Sequence, residues 1–247
     1  MLTYIQYRIL KSIAPGVPES ASRGVYDGNS KLAILLGEDF FARIAGKVVV
    51  DFGCGEGSDA IEMAQKGAKR VIGIDIREEV LQVGRQKAIV AGVQDICIFA
   101  SSTEELADFV VSLDAFEHFA DPAGILCLMH ALLKPTGEAL LSFGPTWYHP
   151  MGGHLFSIFP WSHVIFGEKA LIDWRATFRD DGATRFSEVA GGLNQMTIAR
   201  FEEYVAASPL KFAALEPVPI KKLRPLHNRF TREFTTAIVR SRLVRRA

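Results

Sequence analysis

The first chemistry in the chain sits at one turn, Asp51-Phe52-Gly53-Cys54-Gly55-Glu56-Gly57. An apolar, β-branched run from Lys47 to Phe52 ends there, and a helical pattern opens behind it. Glycines lack a Cβ, so the backbone can turn tightly and press against a ligand. Spacing narrows the ligand. A dinucleotide fingerprint, GxGxxG, needs a third glycine at position 58, where Ser58 stands; the pattern here is GxGxG, closing at Gly57. Asp75 follows Gly57 by 18 positions, at the end of the next apolar run. A carboxylate there faces the crevice and can accept hydrogen bonds from both hydroxyls of a ribose. No arginine cluster or P-loop lysine follows the turn, so nothing neutralises a triphosphate. A nucleoside ligand is expected, with a nicotinamide dehydrogenase as the disfavoured alternative.

The elements that must hold these residues alternate. Strand patterns at 47–52, 70–76, 96–99, 108–113 and 138–143 are separated by helical spacing over 58–66, 78–91 and 122–133. Glycines at 67 and 92 stop two of the helices, and Lys134-Pro135-Thr136-Gly137 reads as a turn. Such alternation implies right-handed crossovers and an α/β, doubly wound, mostly parallel sheet. Two further strands near 210–215 and 234–243 bring the count to seven. Ser30 stands as an N-cap before the apolar run at 32–36, and residues 14–30 read as a loop. About 60 residues after Pro145 carry no strand alternation and read as a lid over the crevice. The divisions expected are an N-terminal cap over 1–46, a Rossmann-like core over 47–144, the lid over 145–205 and the last strands over 206–247.

Together VVVDFGCGEGSDAIEMAQKGAKRVIGIDI, VVSLDAFEHFADP and ALLKPTGEALLSF resemble the class I S-adenosylmethionine-dependent methyltransferases of small-molecule type. The resemblance covers about residues 30–144. It implies that Asp51, Gly53, Cys54, Gly55 and Gly57 line the methionine end of S-adenosylmethionine, and that Asp75 holds the ribose while Ile76 packs on adenine. Ser102 and Thr103 occupy the adenine-edge region, where the family usually carries an aspartate at the position of Ser102. Leu113 and Asp114 would border the transferred methyl. The resemblance also implies release of S-adenosylhomocysteine.

Methyl transfer from a sulfonium is an in-line displacement that depends on alignment. A base is required only when the acceptor carries a proton at the attacking atom. His149 and His154, in Thr146-Trp147-Tyr148-His149-Pro150-Met151-Gly152-Gly153-His154, overhang the crevice and are the expected catalytic pair. His118 follows Glu117 and reads as structural. Trp147, Tyr148 and Trp161 are expected acceptor contacts, and the apolar stretch 155–166 reads as lid core or as an aromatic acceptor pocket. The spacing of His149, His154 and His163 matches no zinc pattern, and no metal is expected.

The 247 residues carry 28 basic and 28 acidic side chains, so no global field recruits nucleic acid or membrane. The Leu113-Asp114-Ala115-Phe116 stretch also departs from the Asn/Asp-Pro-Pro-aromatic motif of base methylation. RNA or protein methylation and a non-catalytic binding module remain the alternatives to O- or N-methylation of a small acceptor. Residues 221–247 are locally basic, nine positive side chains against Glu233, and read as a solvated face or a site for an anionic acceptor or a membrane surface. No run approaches a membrane span, and the start reads as an amphipathic helix lying on the domain, with an interfacial membrane helix as the alternative. Cys54, Cys97 and Cys127 offer no disulfide framework, which suits a reducing, cytoplasmic setting.

Overall fold

The computed structural model describes residues 1–14, 29–179, 181–189 and 191–246. Most of the loop expected over 14–30 therefore lies outside the described residues. Helix α1 (Leu2–Ile13) leads to α2 (Lys31–Leu36), whose N-cap Ser30 Oγ accepts from the Ala33 amide at 3.1 Å, and to α3 (Phe40–Ile44). The alternating unit follows as β1 (Val48–Phe52), α4 (Ser58–Gln65), β2 (Arg70–Ile74), α5 (Glu78–Val90), β3 (Cys97–Ala100), β4 (Ala107–Leu113), α6 (Pro122–Leu132) and β5 (Leu133–Phe143). Helices α7 (Ser162–Ile165), α8 (Glu168–Arg175) and α9 (Ile198–Ala207) come next, then β6 (Leu210–Pro219), α10 (Arg232–Thr235) and β7 (Thr236–Arg245).

The seven strands form one sheet in the order β3-β2-β1-β4-β5-β7-β6. Pairs among β1 to β5 are parallel, whereas β7 runs antiparallel to both β5 and β6. The order reverses between β1 and β4, and that switch point opens a crevice at their carboxyl ends. Burial on both faces explains the near-continuous apolar runs: Val50 points into the layer with α6 and α9, and Val49 into the layer with α2 to α5.

The expected turn at Lys134–Gly137 lies inside β5. Ala107 pairs with Leu133 and Phe109 with Glu138, so the four residues bulge opposite Asp108, and Lys134 Nζ meets the Asp108 carboxylate at 2.8 Å. Pro135 and Gly137 marked a break in the ladder, but the chain rejoins it in the same direction.

A third core stands apart from the sheet. Phe156, Phe166, Leu171, Trp174 and Phe186 of the lid segment pack around Leu10 of α1. The Trp174 indole N–H donates to the Ala14 carbonyl at 2.8 Å, which fastens α1 to α8. Helix α9, by contrast, buries Ile198, Phe201 and Val205 in the sheet layer. The lid core thus joins the first helix to the insertion, while α2 and α3 serve the sheet.

The basic residues of the carboxyl end are mostly structural. Arg245 donates to the carbonyls of His130 and Leu133 at the end of α6, and Arg246 to those of Val205 and Ala206 at the end of α9, where the helix dipole is negative. Arg242 pairs with Glu138 at 2.9 Å, Arg232 with Glu202, and Arg240 with Glu216. Five of the nine expected surface cations are engaged in this way, which corrects the picture of one solvated basic face.

Candidate active site

The glycine turn is pinned at both ends. Gly53 and Cys54 donate to the Ile74 carbonyl at 2.8 and 2.9 Å, and Gly57 donates to the Cys54 carbonyl at 2.9 Å. Gly57 has φ +78°, and a Cβ there would overlap the Phe99 ring; at Gly53, φ +82°, it would stand 2.9 Å from Ala115 Cβ. Gly55 differs, because a Cβ there would meet open space. Its role is the left-handed φ of +52° and an amide that donates to Asp75 Oδ2 at 3.0 Å. Turn and strand-end acid, inferred separately from the sequence, are joined by that bond.

Asp75 is nearly buried, with all its acceptor positions filled. Arg77 donates its amide and Nε to Oδ1, each at 3.0 Å, and Nη2 to Oδ2 at 3.1 Å. Burial pushes the Asp75 carboxyl up, but the Arg77 and Gly55 donors outweigh it and hold the group below its ordinary range. Ile76 beside it is 92% exposed. Ser102 is exposed beyond β3, and Thr103 Oγ1 accepts from the Glu105 amide at 3.1 Å.

The part of the crevice at the ends of β1 and β4 is acidic. Asp51 is buried, its Oδ2 has no hydrogen-bond partner, and burial, with Asp59 nearby, raises its carboxyl. Lys31 of α2 reaches across to Asp59 at 3.0 Å and Asp114 at 3.2 Å. Burial opposes its charge, but the two carboxylates prevail and raise its ammonium. Leu113 is buried at the end of β4, and Asp114 turns the chain with φ +52°. The Cys54 thiol is pushed well above its usual range by burial and by Asp51 and Asp75, so it is no nucleophile.

Glu117 closes the same crevice and was not singled out in the sequence. It is buried, its Oε1 accepts from the Gly144 amide at 3.3 Å, and its Oε2 has no partner. Burial, reinforced by Asp114, pushes its carboxyl to about 8. The glutamate–histidine pair of the motif was the available signal, since a sequence marks a carboxylate without showing its burial. Lys31 and Arg77 were likewise passed over.

The histidines fall into two groups. The His118 and His154 rings meet edge to face, centroids 5.4 Å apart. His118 Nδ1 lies 2.8 Å from the Gly192 carbonyl; a carbonyl only accepts, so Nδ1 carries the proton and Nε2 is an acceptor. His154 is held at φ +52°, and its Nε2 is buried without a partner. Burial, with His118 adjacent, lowers it to about 4. His149 accepts from the Met151 amide through Nδ1 at 2.9 Å, which leaves its proton on Nε2, and burial lowers it also to about 4. His163 is internal to the lid, with Nε2 donating to the Trp147 carbonyl at 2.7 Å and Nδ1 bonded to Ser157. Trp147 packs on His163 and Phe186, Tyr148 on Phe234, and the Trp161 indole donates to the Tyr148 carbonyl at 2.9 Å. The stretch 155–166 therefore divides: Phe156 and Phe166 enter the lid core, while Leu155, Val164 and Ile165 face outward.

A family model described as "Methyltransferase domain" matches residues 29–160, more than half of the chain. The chain belongs to this methyltransferase-domain family. The matched range runs from the residue before the Ser30 cap through the glycine turn, Asp75, Glu117 and His118 into the first part of the lid. A ubiquinone biosynthesis O-methyltransferase of Acinetobacter baumannii is 42% identical over 106 residues, 40% of this chain and 44% of that protein. This methyltransferase-domain chain therefore spans under half the length of the curated relatives it matches. Among solved structures, an S-adenosylmethionine-dependent methyltransferase from Mesorhizobium loti superposes with a TM-score of 0.58 at 18% identity, over 90% of this chain and 100% of the other. Magnesium protoporphyrin IX methyltransferase from Synechocystis, solved with S-adenosylhomocysteine, gives 0.58 at 17% identity, over 98% and 94%. At these identities the structures establish the shared Rossmann-like fold.

Proposed function

We propose that this methyltransferase domain binds S-adenosylmethionine in the crevice and directs its methyl group to a hydroxyl of a small, partly apolar or aromatic acceptor. The observation that carries the reading is the Gly55 amide bonded to Asp75, beside the buried Asp51 whose Oδ2 is unsatisfied. A turn free of Cβ atoms, a strand-end acceptor and buried carboxylates suit a cationic nucleoside donor better than a polyphosphate. The 42% identity to a protein named for O-methylation supports oxygen as the accepting atom.

When bound, the donor supplies an electrophilic methyl on a sulfonium. The protein's own residues supply the rest. Asp75 would receive the ribose hydroxyls, Ile76 would cover adenine, and Asp51 with the glycine turn would hold the methionine end. Leu113 and Asp114 border the point of transfer. His154 and His118 overhang it; the buried His154 ring, kept neutral, and His118 Nε2, whose Nδ1–H is committed to Gly192, are the groups able to take the acceptor's hydroxyl proton. His149 would orient the acceptor, since its Nδ1 is committed to Met151. Trp147, Tyr148 and Trp161 form the aromatic wall. A reducing, cytoplasmic setting accompanies this reading, supported by three unpaired thiols.

Calorimetry with S-adenosylhomocysteine and NAD tests the donor site; tighter binding of NAD overturns it. A metabolite screen for methylated product then tests the acceptor side. His154→Ala and His118→Ala are expected to lower turnover about 100-fold or more while leaving S-adenosylhomocysteine affinity near wild type. Unchanged turnover in both would leave alignment as the only catalytic principle.

A further inference from the structure

Helix α1 buries one face and leaves a second apolar face without a partner among the described residues. Leu10 is fully buried in the lid core, and the Gln6 side-chain oxygen accepts from the Gly167 amide at 3.2 Å, so that side of the helix is seated on the lid. Leu2, Ile5, Ile9 and Ile13 recur at helical spacing along the neighbouring side and are 70%, 49%, 43% and 53% exposed. Four large aliphatic side chains in one exposed stripe exceed the scattered surface apolars of an ordinary domain. The stripe continues onto the lid. Val164 and Ile165, 46% and 60% exposed, immediately precede the corner where Phe166 turns into the lid core and Gln6 holds the Gly167 amide.

Charge says what covers the stripe. Arg8 and Lys11 lie on α1; residues 1–18 and 144–167 contain no acidic side chain, and the acids of α8, which packs on α1, are engaged, Glu168 by the Phe186 amide and Asp173 by Lys169. Pairing the stripe with a second copy about a two-fold axis would bring Arg8 and Lys11 of both copies together with no acid in either segment to offset them. An anionic bilayer surface supplies both an apolar layer for the isoleucines and negative charge for the cations. We infer that α1, together with Val164 and Ile165, is a docking surface for anionic membrane lipid, with α1 lying in the plane of the interface. The inference does not depend on the methyl-transfer reading, since none of these residues lines the crevice.

Co-sedimentation of the full chain with vesicles tests it, comparing phosphatidylcholine alone with a phosphatidylcholine–phosphatidylglycerol mixture. The wild type is expected to bind the mixed vesicles at least tenfold more tightly than the neutral ones. Ile5→Glu/Ile9→Glu is expected to lower partitioning to the mixed vesicles at least tenfold, with melting temperature and S-adenosylhomocysteine binding unchanged. Arg8→Gln/Lys11→Gln, which leaves the apolar contacts of α1 intact, is expected to lose several-fold at low salt and to match wild type at high salt. Absence of wild-type binding to either vesicle overturns the inference. So does a double glutamate variant that binds like wild type, which would move the contact elsewhere, for example to the exposed Phe230. A wild-type dimer that binds no vesicle and is split by the glutamates would overturn it in favour of a second copy.

Discussion

Asp75 poses a problem of occupancy before one of affinity. Its two oxygens already accept four hydrogen bonds, three of them from Arg77, so a ribose can use the carboxylate only where Arg77 yields. The Arg77 side chain is 53% exposed against 7% for Asp75, so the guanidinium is rehydrated in solvent when a ribose takes its place on the carboxylate. Opposite changes are therefore expected at these two nearby positions. Asp75→Ala should weaken S-adenosylhomocysteine binding about 10- to 100-fold, since a hydrogen bond to a charged group contributes about 1.5–3 kcal/mol. Arg77→Ala should strengthen it by a few-fold, by removing the competitor. Titration calorimetry on the two variants decides the matter, and an Arg77→Ala protein that binds more weakly would make Arg77 a donor contact. The sequence made the placement of Asp75 legible because it is set locally: a carboxylate at a strand end, at a set distance from a glycine turn, to which the Gly55 amide is bonded. Arg77 was illegible because its effect lies in where its side chain folds back, which no spacing records.

The elements were legible in proportion to how local their stabilisation is. Strands β1, β2 and β4 announce themselves because both faces are buried, and α2 because Ser30 caps it. The join between α1 and the lid was hidden, because the Trp174 to Ala14 bond spans 160 positions and the lid core has no periodicity of its own. That join makes the lid separable from the sheet. Trp174 is fully buried among lid residues, and Trp174→Ala should cost about 3–5 kcal/mol of local stability. Hydrogen exchange is the appropriate measurement. Amides of α1 and α8 should exchange faster in the variant, while those of β1 and β4 keep wild-type protection. Uniform loss of protection across the sheet would show one cooperative unit instead.

At the scale of the whole molecule, the crevice sets two opposed pH dependences. Glu117 has its proton affinity raised to about 8 by burial, against an ordinary 4.5, so the native state holds a proton that the unfolded chain releases between those values. Stability from this group is complete below about 4.5 and falls as pH rises toward 8. His149 and His154, lowered to about 4 by burial, act in the other direction: the unfolded chain binds protons below its ordinary 6.5 that the native state refuses, so stability falls as pH drops from 6.5 toward 4. The sum is a maximum on the mildly acidic side of neutrality, and Glu117→Gln should shrink the alkaline limb to the part set by Asp51, stabilising the protein at pH 8 by a few kcal/mol at about 1.4 kcal/mol per unit. Ligand charge enters the same balance. A cationic sulfonium favours ionised Asp51 and Glu117, whereas the neutral sulfur of S-adenosylhomocysteine does not. Affinity for S-adenosylmethionine should therefore rise with pH between about 6 and 8 more steeply than affinity for S-adenosylhomocysteine, with protons released on binding. Calorimetry in two buffers of different ionisation enthalpy measures that release directly, and it should shrink in Glu117→Gln. Equal pH slopes for the two ligands would mean that the buried carboxylates do not sense the sulfonium, and would place the transferred methyl elsewhere in the crevice.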